Sequence, residues 1–389
     1  MTDDIARGLE GVTVAETRLS SIDGEAGELI VGGYPIGELA GNATFEETVF
    51  LLREDRLPDA EELDSFRADL AARRGIGPEV RETLRAAAEA DLPAMDALRM
   101  GVAAATLDDD ADGGDGDVDT GDRATDPSGD ALRAVAVLPT IVATYWRHRE
   151  GEDPVAPRED LGHAANYLYM LTGEEPDEAD VRGIETYLNT VVDHGLNAST
   201  FTARCIASTE SDVISAVTGA VGALKGPLHG GAPGPVLDML VEIHESGDPE
   251  AAVRDRLDAG ERLMGFGHRV YEVRDPRAAV LSEAAESFYE ASGDTDFFES
   301  AREAERVGVE ALAEHKAGHS LQTNVEFYTA VLLHGIGVPK DLFTATFAVA
   351  RVGGWTAHCL EQLSDNRIIR PRARYVGETG RTWVPVSER

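Results

Sequence analysis

Apolar residues recur three and four positions apart through most of the chain, the spacing that places them on one face of an α-helix. This pattern predicts helices over Phe45–Leu52, Ala60–Arg74, Glu79–Ala90 and Met95–Thr106, separated by short polar or proline-bearing joints. It continues over Leu161–Leu171, Val181–Val192, Ser211–Leu224, Val236–His244 and Pro249–Leu263, then over Pro276–Ser292, Phe297–His315, Val325–His334 and Asp341–Leu363. Strand-like pieces are confined to Glu28–Gly33 near the start and to Ala373–Val376 and Arg381–Val386 at the end. The pattern therefore predicts an all-α protein with minor β at the termini. No apolar run approaches the roughly 20 residues that span a bilayer. The best, Ala134–Trp146, is short and contains Pro139.

One segment breaks the periodicity. Asp108–Asp130 holds ten Asp, five Gly and a single base, Arg123. Asp108, Asp110, Asp112 and Gly113 mimic the start of a calcium loop, but Asp119 stands at the twelfth position in place of the usual bidentate Glu, and helical pattern resumes only near Ala131. A solvated acidic loop is the expected reading.

Composition extends that segment's character to the whole chain: 72 Asp and Glu stand against 35 Lys and Arg in 389 residues, a net charge of −37. Only Lys225, Lys316 and Lys340 among the bases are lysines. Such a charge disfavours nucleic acid and anionic membrane surfaces, both of which need a basic face. It suits concentrated salt, where screening removes self-repulsion. The N-terminus has no apolar signal region, and the two cysteines, Cys205 and Cys359, have no metal-ligand spacing. A protein of the cytoplasm is the expectation.

Candidate chemistry gathers at glycine-rich joints. Lys225-Gly-Pro-Leu-His229-Gly-Gly-Ala232 places a histidine where glycines permit close approach of a ligand, although a histidine alone is more often a packed core group. Glu326 opens a helix two residues after the N-cap Asn324, where the helix dipole is expected to hold a carboxylate ionised, as a general base requires. Ordinary dipole compensation is the alternative. His268 precedes Arg269, Arg274 and Arg277, and further arginines stand at 351, 367, 370, 372 and 374. Converging guanidinium groups imply a di- or tricarboxylate or a phosphate. No HExxH or Cys–His set suggests a metal.

Taken together, the motifs resemble the citrate synthase family. They run Asp193-His194-Gly-Leu-Asn-Ala-Ser-Thr-Phe201, Lys225-Gly-Pro-Leu-His-Gly-Gly, Gly265-Phe-Gly-His268-Arg-Val-Tyr with Asp275-Pro-Arg277, and Asn324-Val-Glu-Phe-Tyr. Ala350-Arg351-Val-Gly-Gly-Trp355-Thr-Ala-His358 and Arg370-Pro371-Arg372 follow in the family's order, and Gly8-Leu-Glu-Gly-Val, Ser21-Ile-Asp-Gly-Glu and Phe45-Glu-Glu match its start.

The resemblance implies a multi-helix two-domain fold: a large domain over 1–224 and 336–389, and a small domain over 225–335 carrying the catalytic segments. It implies His229, His268 and Glu326 as the catalytic set, and His194, Arg277, Arg351 and Arg370 as the groups that hold oxaloacetate. The Leu263–Gly267 backbone (Leu263, Met264, Gly265, Phe266, Gly267) would cradle coenzyme A, which enters as a thioester co-substrate with no tightly bound cofactor. Arg370 would reach the neighbouring subunit's site, so a homodimer is implied.

Three positions depart from the family pattern. Glu326 stands where Asp is usual, Pro233-Gly-Pro235 follows His229 where many members carry Asn and Glu, and Glu272 replaces a common base. They leave three readings: citrate synthase, 2-methylcitrate synthase acting on propionyl-CoA, and a catalytically weak paralogue that binds dicarboxylate or acyl-CoA as a sensor.

Overall fold

The computed structural model describes residues 5–105, 126–230, 233–268, 270–271, 273–315 and 321–389. The calcium-loop candidate, Arg269 and Glu272 lie outside them. Among the described residues the chain forms sixteen α-helices and one three-stranded sheet, and no helix is long and apolar enough to cross a membrane.

The predicted helices form, and their starts follow local chemistry. Thr44 and Glu47, Asp59 and Glu62, and Asp177 and Asp180 each make a reciprocal capping box, which satisfies backbone donors that a helix start leaves open. Pro276–Ser292 has the predicted bounds. Pro249–Asp258 stops earlier than its apolar pattern, because the chain turns at Gly260 with φ +77°.

Two helices escape the periodicity, Ile36–Ala40 and Ala198–Ala207. A third, whose pattern resumes near Ala131 without a legible end, begins at Pro127, capped by Asp126, and runs to Glu150. It is apolar on nearly every side, so it shows no stripe. That is the signature of a helix enclosed by others, and it packs against Phe343–Ser364, the other buried helix of the core.

The sheet orders β1 (Ser20–Asp23), β2 (Glu28–Val31) and β3 (Tyr34–Pro35) antiparallel, with Ser20 opposite Val31. The two C-terminal strands expected at Ala373–Val376 and Arg381–Val386 do not form. Apolar and polar residues alternate there, but a strand needs a neighbour for its backbone groups, and the described residues offer none. Residues 370–384 instead run exposed, with Val376 at 86% and Trp383 at 75% exposure, and the only regular piece is a 3-10 turn at Val386–Glu388.

Glycines set the closest approaches around the site. A Cβ on Gly354 would stand 2.4 Å from the Val192 carbonyl oxygen, so the Phe343–Ser364 helix can press against the end of the Glu178–Val191 helix only there. That contact brings Arg351 to Val191, whose carbonyl accepts from its Nε at 2.6 Å.

Candidate active site

A cavity of about 900 Å³ is lined by His194, His229, His268, Arg277, Glu326 and Arg351 together. Six of the seven residues assigned to catalysis and oxaloacetate thus share one space, although they come from segments spread over more than 150 positions. The seventh, Arg370, lines a neighbouring cleft beside Arg204 and Glu361 instead.

His229 follows the Val213–Leu224 helix in a turn where Gly230 leaves no room for a side chain: a Cβ would meet the Leu224 carbonyl at 2.6 Å. The ring is half-buried, and its Nε2 lies 2.8 Å from the Ser199 hydroxyl and 3.4 Å from the Ser199 amide that points at it. Trp355 Nε1 donates to the same hydroxyl at 3.0 Å, so one lone pair of Ser199 is already occupied. The Ser199 amide donates to Nε2, which leaves the ring's own proton on Nδ1. Burial, with Arg351 second, pulls His229 down to about 4, so the ring is neutral at pH 7. Ser199→Ala removes about 1 kcal/mol of hydrogen bonding. It should lower kcat roughly fivefold in steady-state assays while leaving KM for the anionic substrate unchanged.

His268 is fixed differently. The backbone amides of Val270 and Tyr271 both donate to its Nδ1, at 3.0 and 3.1 Å, so the neutral ring carries its proton on Nε2. Burial and then Arg277 lower its pKa, against a raising influence of Asp275. His194 stands edge-on to it, ring centroids 5.9 Å apart, with Nε2 3.1 Å from the Tyr271 hydroxyl. Burial, reinforced by Arg277 and Arg351, holds His194 well below the ordinary histidine range.

Both guanidinium groups are buried, Arg277 at 3% and Arg351 at 1% exposure. Asp275 caps the Pro276–Ser292 helix and grips Arg277 through Nε at 3.1 Å and Nη2 at 2.8 Å. Burial alone would lower Arg277, but Asp275 raises it overall. Arg351 has no such partner: among the described residues no carboxylate lies within ion-pair distance. It rests over the Phe347 ring, 4.5 Å from the centroid, and burial lowers it to about 10. A buried cation without a counter-ion is a site for an anionic ligand.

Glu326 sits in the first turn of Val325–Gly335, with its amide donating to the Asn324 cap at 3.0 Å. A short antiparallel bridge between Phe266 and Thr323, with Asn324 donating to the Gly265 carbonyl, ties this helix start to the His268 segment. The expectation that the helix dipole keeps the carboxylate fully ionised is corrected here. Burial outweighs Arg277, Asp275 adds to it, and the pKa rises to about 7. A base poised near neutrality suits proton abstraction better than a strongly acidic carboxyl does.

Leu263, Phe266 and Gly267 line a second cleft of about 760 Å³ that shares Gly267 and His268 with the first. Met264 and Gly265 do not line it. Met264 turns toward Met239, and Gly265, at φ +84°, packs against Phe327 where a side chain would collide. Of the expected arginines, Arg277 and Arg351 face the site among the described residues. Arg274 pairs with Glu305 at 3.0 Å, and Arg367, Arg372 and Arg374 lie exposed on the C-terminal segment.

Several participants carried no role in the sequence reading. Ser199, Trp355 and Asp275 stood inside the motifs, and only the fold shows them touching catalytic candidates. Asp193 is fully buried, accepting from Ser20 and lying 3.2 Å from His358 Nε2, and so anchors the loop that carries His194. The N-terminal stretch also walls the cavity: Gly8, Leu9 and Val12 belong to a quoted motif that carried no site role, and Thr13–Ala15 follow it.

Three imidazoles, a carboxylate poised near neutrality and two buried guanidinium groups thus share one cavity, a set able to move a proton beside a bound anion. A model of the family described as citrate synthase, C-terminal domain, matches residues 8–372. Citrate synthase of Haloferax volcanii is 47% identical, covering 100% of both chains. A 2-methylcitrate synthase of Shewanella oneidensis is 35% identical over 98% of this chain and 97% of its own. The citrate synthase of the archaeon Thermoplasma acidophilum, solved as a ternary complex with carboxymethyl coenzyme A and oxaloacetate, superposes with a TM-score of 0.83 at 30% identity, covering 100% of both chains. The chain belongs to the citrate synthase family.

Proposed function

We propose that this chain condenses acetyl-CoA with oxaloacetate and hydrolyses the resulting citryl-CoA to citrate and coenzyme A. The observation that carries this reading is the convergence of His229, His268 and Glu326 above Arg277 and Arg351 in one cavity. Glu326 removes a proton from the thioester's methyl group. Neutral His229, its Nε2 occupied by Ser199, offers Nδ1–H to the thioester oxygen as negative charge develops there. The enolate carbon attacks the ketone carbon of oxaloacetate, and His268 passes its Nε2 proton to the alkoxide that forms. Arg277, Arg351 and His194 hold the acceptor's carboxylates and fix its orientation.

Coenzyme A lies against Leu263, Phe266 and Gly267 in the adjoining cleft, and closure of the 225–335 segment over the rest excludes water until hydrolysis. Arg370 and the exposed C-terminal segment complete the site of a second copy in a homodimer. The exposure of Val376, Trp383 and Val386 supports this, since apolar side chains on an extended arm find cover on a partner. The acidic surface fits work in concentrated salt inside the cell.

A steady-state assay of thiol release with oxaloacetate and either acetyl- or propionyl-CoA, in low salt and in molar potassium chloride, tests the reading. We expect the higher kcat/KM with acetyl-CoA. One methylene is worth only about 1–3 kcal/mol in such a pocket, so some propionyl-CoA turnover is compatible with it. A higher kcat/KM for propionyl-CoA would assign 2-methylcitrate synthase instead. Absence of thiol release with both donors in both salts would leave only a binding role.

A further inference from the structure

The N-terminal hairpin touches the segments of two histidines that face the cavity. Its first strand, β1, begins at Ser20, whose hydroxyl donates to the Asp193 carboxylate at 2.5 Å and accepts from the Gly195 amide at 3.0 Å. One side chain thus brackets His194 from both sides along the chain. Ile22, on the same strand, packs against Gly195, 3.4 Å from where a Cβ would stand. Asp193 is fully buried, so a lost donor is not replaced by water.

At its turn the hairpin meets the segment of the second histidine. The motif Ser21-Ile-Asp-Gly-Glu forms this turn, and the Asp23 carboxylate fixes it by accepting from the Glu25 and Ala26 amides at 3.0 and 2.8 Å. Gly24 lies so close to Val270 that a Cβ would stand 2.1 Å from the Val270 carbonyl oxygen. The amide of that same Val270 donates to His268 Nδ1. Tyr271, next in the chain, also donates its amide to Nδ1, and its hydroxyl lies 3.1 Å from His194 Nε2. The hairpin therefore rests on the backbone that sets the His268 tautomer.

We propose that the β1–β2 hairpin is a positioning element that holds the His194 and His268 rings in register. Ser20 acts on the first through Asp193 and Gly195, and Gly24 acts on the second through Val270. The two rings stand edge-on with centroids 5.9 Å apart, on segments distant in sequence, so neither segment sets that spacing by itself. The proposal rests on the reading of His194 as a group that holds the acceptor and of His268 as the one that protonates it.

Steady-state kinetics of the full-length enzyme with acetyl-CoA and oxaloacetate test it. Ser20→Ala removes a hydrogen bond to a buried carboxylate, and KM for oxaloacetate should rise roughly tenfold with little change in kcat. Gly24→Ala forces Val270 away from the hairpin, and kcat should fall by about tenfold or more, with a smaller effect on KM, because a catalytic group has been displaced. A hairpin that serves stability alone would lower the thermal midpoint in both variants and leave kcat and KM at parent values. That result, measured well below each midpoint, would overturn the proposal, and Ser20→Ala decides by itself where Gly24→Ala does not fold. His194→Gln and His268→Gln separate the two levels. If these are impaired while the hairpin variants are not, the site reading stands and the hairpin's role fails; parent-like kinetics in both would remove the site reading, and the hairpin's role with it.

Discussion

Glu326→Gln is expected to lower kcat by about a thousandfold, the middle of the range for loss of a general base. The amide keeps the size of the carboxyl but cannot accept the proton. Oxaloacetate binding should survive, because the guanidinium groups are untouched, and the ligand should still raise the melting temperature. In the parent enzyme kcat should fall on acidification with a midpoint near pH 7, where Glu326 takes up its proton.

The same displacement bears on stability. The folded pKa stands above the ordinary carboxyl value, so the folded state binds this proton more tightly than the unfolded chain does. That contribution is complete below the ordinary value and is lost as pH rises through about 7. The glutamine variant should therefore gain melting temperature relative to the parent at pH 8, and gain little at pH 4. Stopped-flow thiol release and calorimetry at both pH values check the two halves. Parent-like turnover in the variant would remove Glu326 as the base.

Arg351→Leu should abolish productive oxaloacetate binding. Truncating one partner of a buried charge pair costs about 2–5 kcal/mol, roughly a thirtyfold to several-thousandfold rise in Kd. In the free enzyme the change should be small. The Val191 carbonyl loses its donor, worth about 1 kcal/mol, while a buried cation with no counter-ion is relieved. Thermal shift separates these terms. At a hundred times the parent's Kd, oxaloacetate should stabilise the parent by about 2.7 kcal/mol and the variant by no more than about 0.9 kcal/mol. An unchanged KM for oxaloacetate would show that Arg351 does not hold the acceptor.

The helices most legible in the sequence were those with one face in the core and one in solvent, such as Pro276–Ser292, because partial burial imposes the three-and-four spacing. Pro127–Glu150 was read only as a pattern resuming near Ala131, without bounds, for the opposite reason: enclosed on nearly all sides, it needs no polar face. The C-terminal segment misled in another way. Its alternation reads as strand, yet a strand is a relation between two segments, and no partner stands among the described residues.

The candidate site divides along the same line. His229, His268, Glu326, Arg277 and Arg351 were legible because their chemistry is written in residue type and in neighbouring glycines. Ser199 and Asp275 were not, since a serine and an aspartate near helix starts read as ordinary caps until the fold brings one to His229 and shows the other gripping Arg277.

By itself, the sequence determined which groups were available: three histidines and a carboxylate at glycine-rich or helix-start positions, arginines concentrated against an overall charge of −37, and motifs in one family's order. Tertiary structure alone decided their states. It set His229 neutral and Glu326 near neutrality by burial, placed the proton of His268 through two backbone amides, gave Arg277 a counter-ion and withheld one from Arg351. The physical reason is that a proton's affinity depends on what surrounds the group. The surroundings here are supplied by segments that meet only when the helices pack.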